Sequence, residues 1–302
     1  MISIRESSKG WMAGRSKDIT FIVTKDCQLA CKYCYLVGKN SNERMSFNVA
    51  KSAIDYIINN ENNANFDCES VVFNFIGGEP FLEIELIDRI CDYIKIELYK
   101  HNHHWFNSYR FSFSTNGINY HEDKVQKFIE KNKTHLSIGI TIDGTPQKHD
   151  LNRVWKGSIP ERGSYNDVVR NIPLWLKQFP EGSTKVTISS ADLPYITESV
   201  LHLYSLGIHT VNINCVFEDV WEEGDDKIFE EQLFKLADHI IENELYKDYS
   251  CSFFVEYIGK PLDPIKYTQN WCGSGKMLSI DAAGNFYPCT RFAQYSLRDK
   301  KA

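Results

Sequence analysis

The chain predicts an α/β fold of repeated βαβ units around a parallel sheet, and three observations carry that expectation. Six short runs rich in β-branched and aromatic residues alternate with stretches whose apolar residues recur at helical spacing. The polar and glycine-rich motifs come directly after those runs, where chemistry sits in α/β barrels and open α/β sheets alike. The length of 302 residues, with 42% hydrophobic and 25% charged residues, suits one large domain with or without a small appendage. The pattern fits either an open doubly wound sheet or a partial barrel.

In chain order, residues 1–17 read as a polar leader without a signal-peptide core. Asp18 to Val23 is the first strand, and a cysteine-bearing loop follows it. Ser46 then reads as an N-cap for a helix with Val49, Ala53 and Ile57 on one face. Ser70 to Ile76 is the second strand, ending in Gly77-Gly78-Glu79-Pro80, with Ile87, Cys91, Ile94 and Leu98 marking the helix after it. Tyr109 to Thr115 is the third, ending at Asn116-Gly117, with a short helix from about Glu122. His135 to Ile142 is the fourth, ending at Asp143-Gly144, and Val168, Ile172, Trp175 and Phe179 trace one further helix. Lys185 to Ser190 and Thr210 to Cys215 are strands five and six, with helices near Ile196 to Leu206 and Ile228 to Leu245. The helical pattern ends near 246, so 18–245 reads as the main domain and 246–302 as an extension. In that extension Leu278 to Asp281 and Asn285 to Pro288 form a hairpin around Gly284.

Composition narrows the function. A net charge of −6 without a basic tract does not favour nucleic acid. No apolar run approaches the ~20 residues of a membrane helix. Nine cysteines in such a chain argue for a reducing, cytoplasmic setting and metal ligation over disulfides.

The chemistry concentrates at Cys27, Cys31 and Cys34, spaced C-x3-C-x2-C on a polar loop. Three soft ligands on one tight loop suit an iron–sulfur cluster, and three instead of the usual four leave one iron free for a ligand. A structural zinc site takes four ligands, commonly from paired dyads, and three adjacent cysteines cannot pair evenly as disulfides. Gly77-Gly78-Glu79-Pro80 is a turn whose glycines can expose backbone groups, with Glu79 as a carboxylate acceptor for an ammonium. Asn116-Gly117 and Asp143-Gly144 are ordinary turn dipeptides on residue type alone. His101, His103 and His104 read as a solvated loop, and Cys68, Cys91 and Cys215 as core.

Cys27, Cys31, Tyr33 and Cys34 resemble the C-x3-C-x-aromatic-C signature of radical SAM enzymes, and the Gly-Gly-Glu-Pro turn after the second strand is similar to the one those enzymes carry. The resemblance implies a partial (β/α)6 TIM-type barrel in which the three thiolates hold a [4Fe–4S] cluster and S-adenosylmethionine chelates its fourth iron. It implies that Tyr33, Gly77, Gly78, Glu79 and Pro80 border the cofactor and that Ser114, Asn116, Thr141, Asp143 and Ser189 approach it. Arg153 is the candidate for its carboxylate, with Arg162 second. Cys272 and Cys289, spaced C-x11-G-x4-C, resemble the opening of a SPASM or twitch-like extension that holds auxiliary [4Fe–4S] clusters. The chain ends 13 residues after Cys289 without that pattern's further cysteines, so truncation or a reduced extension is expected. The implied activity is hydrogen abstraction by a 5′-deoxyadenosyl radical from a ribosomally made peptide, giving a thioether, another crosslink or an oxidation. A flavodoxin or ferredoxin would serve as reductant. Many peptide maturases carry a leader-binding domain ahead of the cysteine loop, and 26 residues leave no room for one. An anaerobic sulfatase-maturase-like enzyme forming formylglycine is the alternative, and a non-catalytic iron–sulfur carrier the alternative of another class.

Overall fold

The computed structural model describes residues 16–293 apart from 37–38, 40, 61–65, 67, 219 and 256–276. Six βα steps appear as expected. Strands β1 (Ser16–Thr24), β2 (Ser70–Gly77), β3 (Tyr109–Thr115) and β4 (Leu136–Ile140) lie side by side and parallel, as do β5 (Ser183–Ile188) and β6 (Thr210–Cys215). Helices α1 (Phe47–Asn59), α2 (Ile84–Lys100), α3 (Asp123–Asn132), α4 (Pro146–Asn152), α5 (Tyr165–Val169), α6 (Ile172–Gln178), α7 (Ile196–Ser205) and α8 (Asp225–Glu242) connect or follow them.

The seam between β4 and β5 is closed by a side chain in place of a ladder. Thr184 Oγ1 donates to the carbonyl of Ile140 at 2.8 Å and accepts from the Ile142 amide at 3.2 Å. Gly139 makes this approach possible, since a Cβ there would lie 3.2 Å from the Ser183 carbonyl. The strands thus follow one another as an open, partial barrel.

Strand alternation sorts the two faces. Ile19, Phe21 and Val23 of β1, Phe73 and Phe75 of β2, and Phe111 and Phe113 of β3 turn outward and are buried beneath the helices. Phe21 stacks on Phe75 at 5.6 Å and Phe75 on Phe113 at 5.2 Å, and the core they form with Ile54, Ile57, Ile87, Ile90 and Phe128 lies outside the sheet. The alternate residues, Asp18, Thr20, Asn74, Ser112, Lys185 and Asn214, face inward and line a cavity.

Three points refine the sequence expectations. The helix traced from Val168 to Phe179 is two, α5 and α6, because Pro173 cannot donate to the turn before it and clashes with the carbonyl four residues back. Residues 146–152, to which the sequence pattern assigned no element, form α4, with Thr145 as N-cap accepting from the Lys148 amide and Pro146 in the first turn. The histidine tract is solvated in part: His101 and His104 are exposed, whereas His103 is buried, stacked on His104 at 4.5 Å and tilted against Trp105 at 4.6 Å, and His104 and Trp105 bond the Cys68 carbonyl.

The described strands beyond 245 are built onto the sheets. Strand β7 (Ser250–Cys251) adds to β6, and β8 (Met277–Ile280) pairs parallel with the free edge of β1. Strand β9 (Phe286–Tyr287) returns antiparallel to β8 through a turn in which Gly284 has φ +88°, the hairpin expected from sequence.

Candidate active site

The cysteine loop leaves β1 and is gripped on two sides. On one side the Ala30 amide donates to Val154, Lys32 to Asn152 and Lys156 to Gln28, laying the loop along residues 152–156. On the other the amides of Gly78 and Glu79 donate to the carbonyls of Thr24 and Asp26, both at 2.9 Å. The two glycines are required by this contact. A Cβ on Gly77 would lie 2.3 Å from the Thr24 carbonyl oxygen, and one on Gly78 2.1 Å from that of Asp26. Their first task is therefore to let two backbones touch.

Glu79 is 1% exposed. Its carboxylate accepts from the Phe81 amide at 3.0 Å, the Thr115 hydroxyl at 2.7 Å and the Asn116 amide at 2.7 Å, joining the turn after β2 to the end of β3. Burial pushes its pKa up, and those hydrogen bonds oppose the shift. Asn116 reaches back to the cysteine loop, donating to Gln28 Oε1 at 3.1 Å and to Cys27 Sγ at 3.9 Å. Burial pushes the Cys27 thiol up to about 11, so metal must displace a proton there.

Tyr33 connects the loop to the end of β4. Its hydroxyl donates to Asp143 Oδ2 and accepts from Arg153 Nη1 at 2.8 Å. Burial raises the Tyr33 pKa, so it stays a neutral donor. Burial also works to raise Asp143, but Lys148 and Arg153 outweigh it and hold the carboxyl below its ordinary value. Behind this triad, the Asp143 amide donates to His149 Nδ1 and the Ser164 hydroxyl donates to the Arg153 carbonyl. His149 Nε2 must then carry the proton it shares with Ser164 Oγ, 3.0 Å away. Desolvation, with Arg153 beside it, pulls the His149 pKa to about 3 and keeps the ring neutral.

These elements enclose one cavity of about 630 Å³. Cys27, Cys31, Cys34, Tyr33, Gly77, Gly78, Glu79, Ser114, Asn116, Thr141 and Arg153 all line it. Other expected residues do not. Pro80 is packed beneath the turn, Asp143 sits behind Tyr33, and the Ser189 hydroxyl donates to Asp192 at 2.7 Å, leaving Lys185 and Thr187 as the residues of β5 that face the cavity. Arg162 is committed elsewhere, paired with Asp167 at 2.6 Å and stacked over Trp155. Cys289 is half-buried outside the lining, and Cys272 lies outside the described residues. Cys215, read as core, instead lines the cavity at the end of β6. Lys185, Asn214 and Arg291 were also missed, although the polar alternation inside β1 to β6 was the signal for this lumen.

The donor set fits a cluster. The three thiols line one cavity, and three thiolates would leave one iron of a four-iron cluster without a protein ligand. Arg153 adds a buried Nε with no partner at the cavity wall.

A family model described as a 4Fe-4S single cluster domain matches residues 14–168, just over half of the chain. The chain belongs to this 4Fe–4S family. It is 32% identical to an uncharacterized protein of Methanocaldococcus jannaschii over 208 residues, covering 68% of this chain and 64% of that protein. It is 23% identical to a serine-type anaerobic sulfatase-maturating enzyme of Bacteroides thetaiotaomicron over 242 residues, 77% of this chain and 55% of the enzyme. The chain thus spans less than two thirds of the length of both relatives. Among solved structures, anSMEcpe with bound AdoMet and Cp18Cys peptide superposes with a TM-score of 0.69 at 20% identity, covering 92% of this chain and 75% of that one. Streptococcus suis SuiB bound to precursor peptide SuiA gives 0.61 at 11% identity, covering 94% and 63%. The fold is that of these two solved proteins, and the partial-barrel expectation is met. No helix among the described residues is long and apolar enough to cross a membrane.

Proposed function

We propose that this chain is a radical SAM enzyme that modifies a peptide or protein side chain. The observation that carries the reading is the convergence of Cys27, Cys31 and Cys34 with Gly77, Gly78, Glu79, Asn116 and Arg153 on one cavity at the carboxyl ends of β1 to β4. The three thiolates would hold a [4Fe–4S] cluster. The Gly77–Glu79 rim would take the ammonium of S-adenosylmethionine, Arg153 its carboxylate through the free Nε, and Ser114, Asn116 and Thr141 its ribose side. When bound, that pair supplies a one-electron cleavage that delivers a hydrogen-abstracting carbon radical. The protein's own residues bind, orient and keep water away. An electron donor such as flavodoxin or ferredoxin completes the system.

The substrate is peptidic in this reading, and the bond formed is a thioether or another crosslink in a ribosomally made peptide. Formylglycine formation is a second reading, favoured by the alignment with the serine-type sulfatase-maturating enzyme over 77% of this chain. Mass spectrometry of peptides incubated with the reduced enzyme separates them: a crosslink loses two hydrogens and joins two residues, whereas a Ser-to-formylglycine conversion leaves an aldehyde reactive to hydrazide.

The first test is simple. Reconstituted protein given dithionite and S-adenosylmethionine is expected to release 5′-deoxyadenosine, and Cys27→Ala, Cys31→Ala and Cys34→Ala are each expected to lose that release to background. Retained cleavage in any one variant overturns the assignment. An auxiliary cluster at Cys272 and Cys289 belongs to the same proposal, with iron in the wild type exceeding the about four atoms of one cluster.

A further inference from the structure

The cavity is larger than its cofactor end, and its charges are unevenly satisfied. Its cations are Lys39, Arg153, Lys185 and Arg291, and its carboxylates Asp18, Glu79 and Glu218. Arg153 donates to Tyr33, and Arg291 pairs with Glu218 at 2.7 Å while lying over the rings of Tyr35 and Phe217. Glu79 is held by three internal donors, and Asp18 accepts from Asn74 Nδ2 at 3.3 Å. Lys39 acts on the Cys27 thiol, so it faces the charge of the thiolate end. Lys185 is different. Its side chain stands open into the cavity with no hydrogen bond or ion pair among the described residues, and its charged neighbour there is the cation Arg291.

Desolvation and then Arg291 lower the Lys185 pKa, and among the described residues no carboxylate within ion-pair range offsets them. Around it Thr187, Asn214 and the exposed Phe217 supply hydrogen-bonding and apolar surface. A cation, a hydroxyl, an amide and an aromatic ring lining the same space, on the wall formed by β5, β6 and the segment after β6, make a subsite for an anionic group carried on a peptide.

Resting on the peptide-modifying reading above, we propose that Lys185 is the specificity-determining residue of the substrate half of the cavity and that it takes a carboxylate of the peptide. That carboxylate comes from an Asp or Glu side chain or from the peptide C-terminus, and the test separates the two.

The test is binding without turnover. Fluorescently labelled eight-residue peptides of a Gly-Ser-Ala background carry a central Glu or Gln, each with a free or amidated C-terminus, and are titrated into reconstituted full chain with S-adenosylmethionine and no reductant. The wild type is expected to bind a carboxylate-bearing peptide at least about tenfold more tightly than its amide counterpart. Preference for Glu identifies the side chain, and preference for the free acid identifies the C-terminus. Lys185→Met is expected to erase the preference, Lys185→Arg to keep it, and Lys185→Glu to reverse it toward a Lys-bearing peptide. Lys185→Met is also expected to melt no lower than the wild type, since the unpaired charge does not serve folding. Equal binding of all four peptides by the wild type, or an undiminished preference in Lys185→Met, overturns the proposal. Release of 5′-deoxyadenosine on reducing the same wild-type preparation is scored separately. Its absence removes the enzymatic reading and leaves the binding result standing on its own.

Discussion

At Glu79, one carboxylate ties the turn after β2 to the end of β3 through three donors, which changes what its removal does. From sequence alone, Glu79→Ala is expected to weaken cofactor binding with little loss of folding. The structure revises this. Alanine strands the buried donors of Phe81, Thr115 and Asn116, and leaving buried donors unpaired costs about 1–3 kcal/mol per group. Glu79→Ala is therefore expected to lower the denaturant midpoint by several kcal/mol equivalent as well as to lose S-adenosylmethionine binding. Glu79→Gln keeps an acceptor oxygen and is expected to lose affinity with a smaller loss of stability. An unchanged midpoint in Glu79→Ala contradicts this placement. Tyr33 carries a comparable lesson. Its aromatic ring was legible in the cysteine motif, but its hydroxyl bridge between Asp143 and Arg153 joins positions 110 and 120 residues away and has no sequence signature.

The elements around the site are held by close approaches as much as by ladders. Gly78→Ala puts a methyl group against a backbone carbonyl, where neither partner is a flexible side-chain tip. It is expected to displace the cysteine loop, read as at least about a threefold fall in iron retained after reconstitution; full retention contradicts the contact. Helix α4 offers a pH test. His149 in the unfolded chain protonates near 6.5, while in the folded chain it resists until about 3. The unfolded state therefore binds more protons in that window, so this contribution is complete above pH 6.5 and is lost as pH falls toward 3, at up to about 1.4 kcal/mol per pH unit. Unfolding free energy measured from pH 7 to 4 is expected to fall more steeply in the wild type than in His149→Gln, and equal slopes contradict it. The six strands and most helices were legible because periodicity and turn chemistry agreed. Helix α4 was not, because Thr145-Pro146 also reads as a turn, and the break between α5 and α6 hid behind apolar spacing that ran through Pro173.

For the whole molecule, the sheet faces its aromatic core outward and a polar lumen inward. Asp18, Asn74, Ser112, Lys185 and Asn214 were visible as polar alternates within strands, but only closure of the sheet makes them neighbours across one cavity. The cysteine loop and the Gly-Gly-Glu-Pro turn were legible as site residues because motif and strand end coincide, whereas Arg153, at the end of α4, was reached through the family resemblance and the chemistry of guanidinium. Cys215 and Arg291 were not, because each enters the cavity through a long-range arrangement, Arg291 by lying between Tyr35 and Phe217. Everything about activity depends on one claim, that an iron left without a protein ligand accepts S-adenosylmethionine. Electron paramagnetic resonance of the reduced, reconstituted protein tests it most directly, comparing S-adenosylmethionine labelled with oxygen-17 in its carboxylate against unlabelled compound. The account predicts that the labelled compound broadens the cluster signal; identical spectra would contradict it.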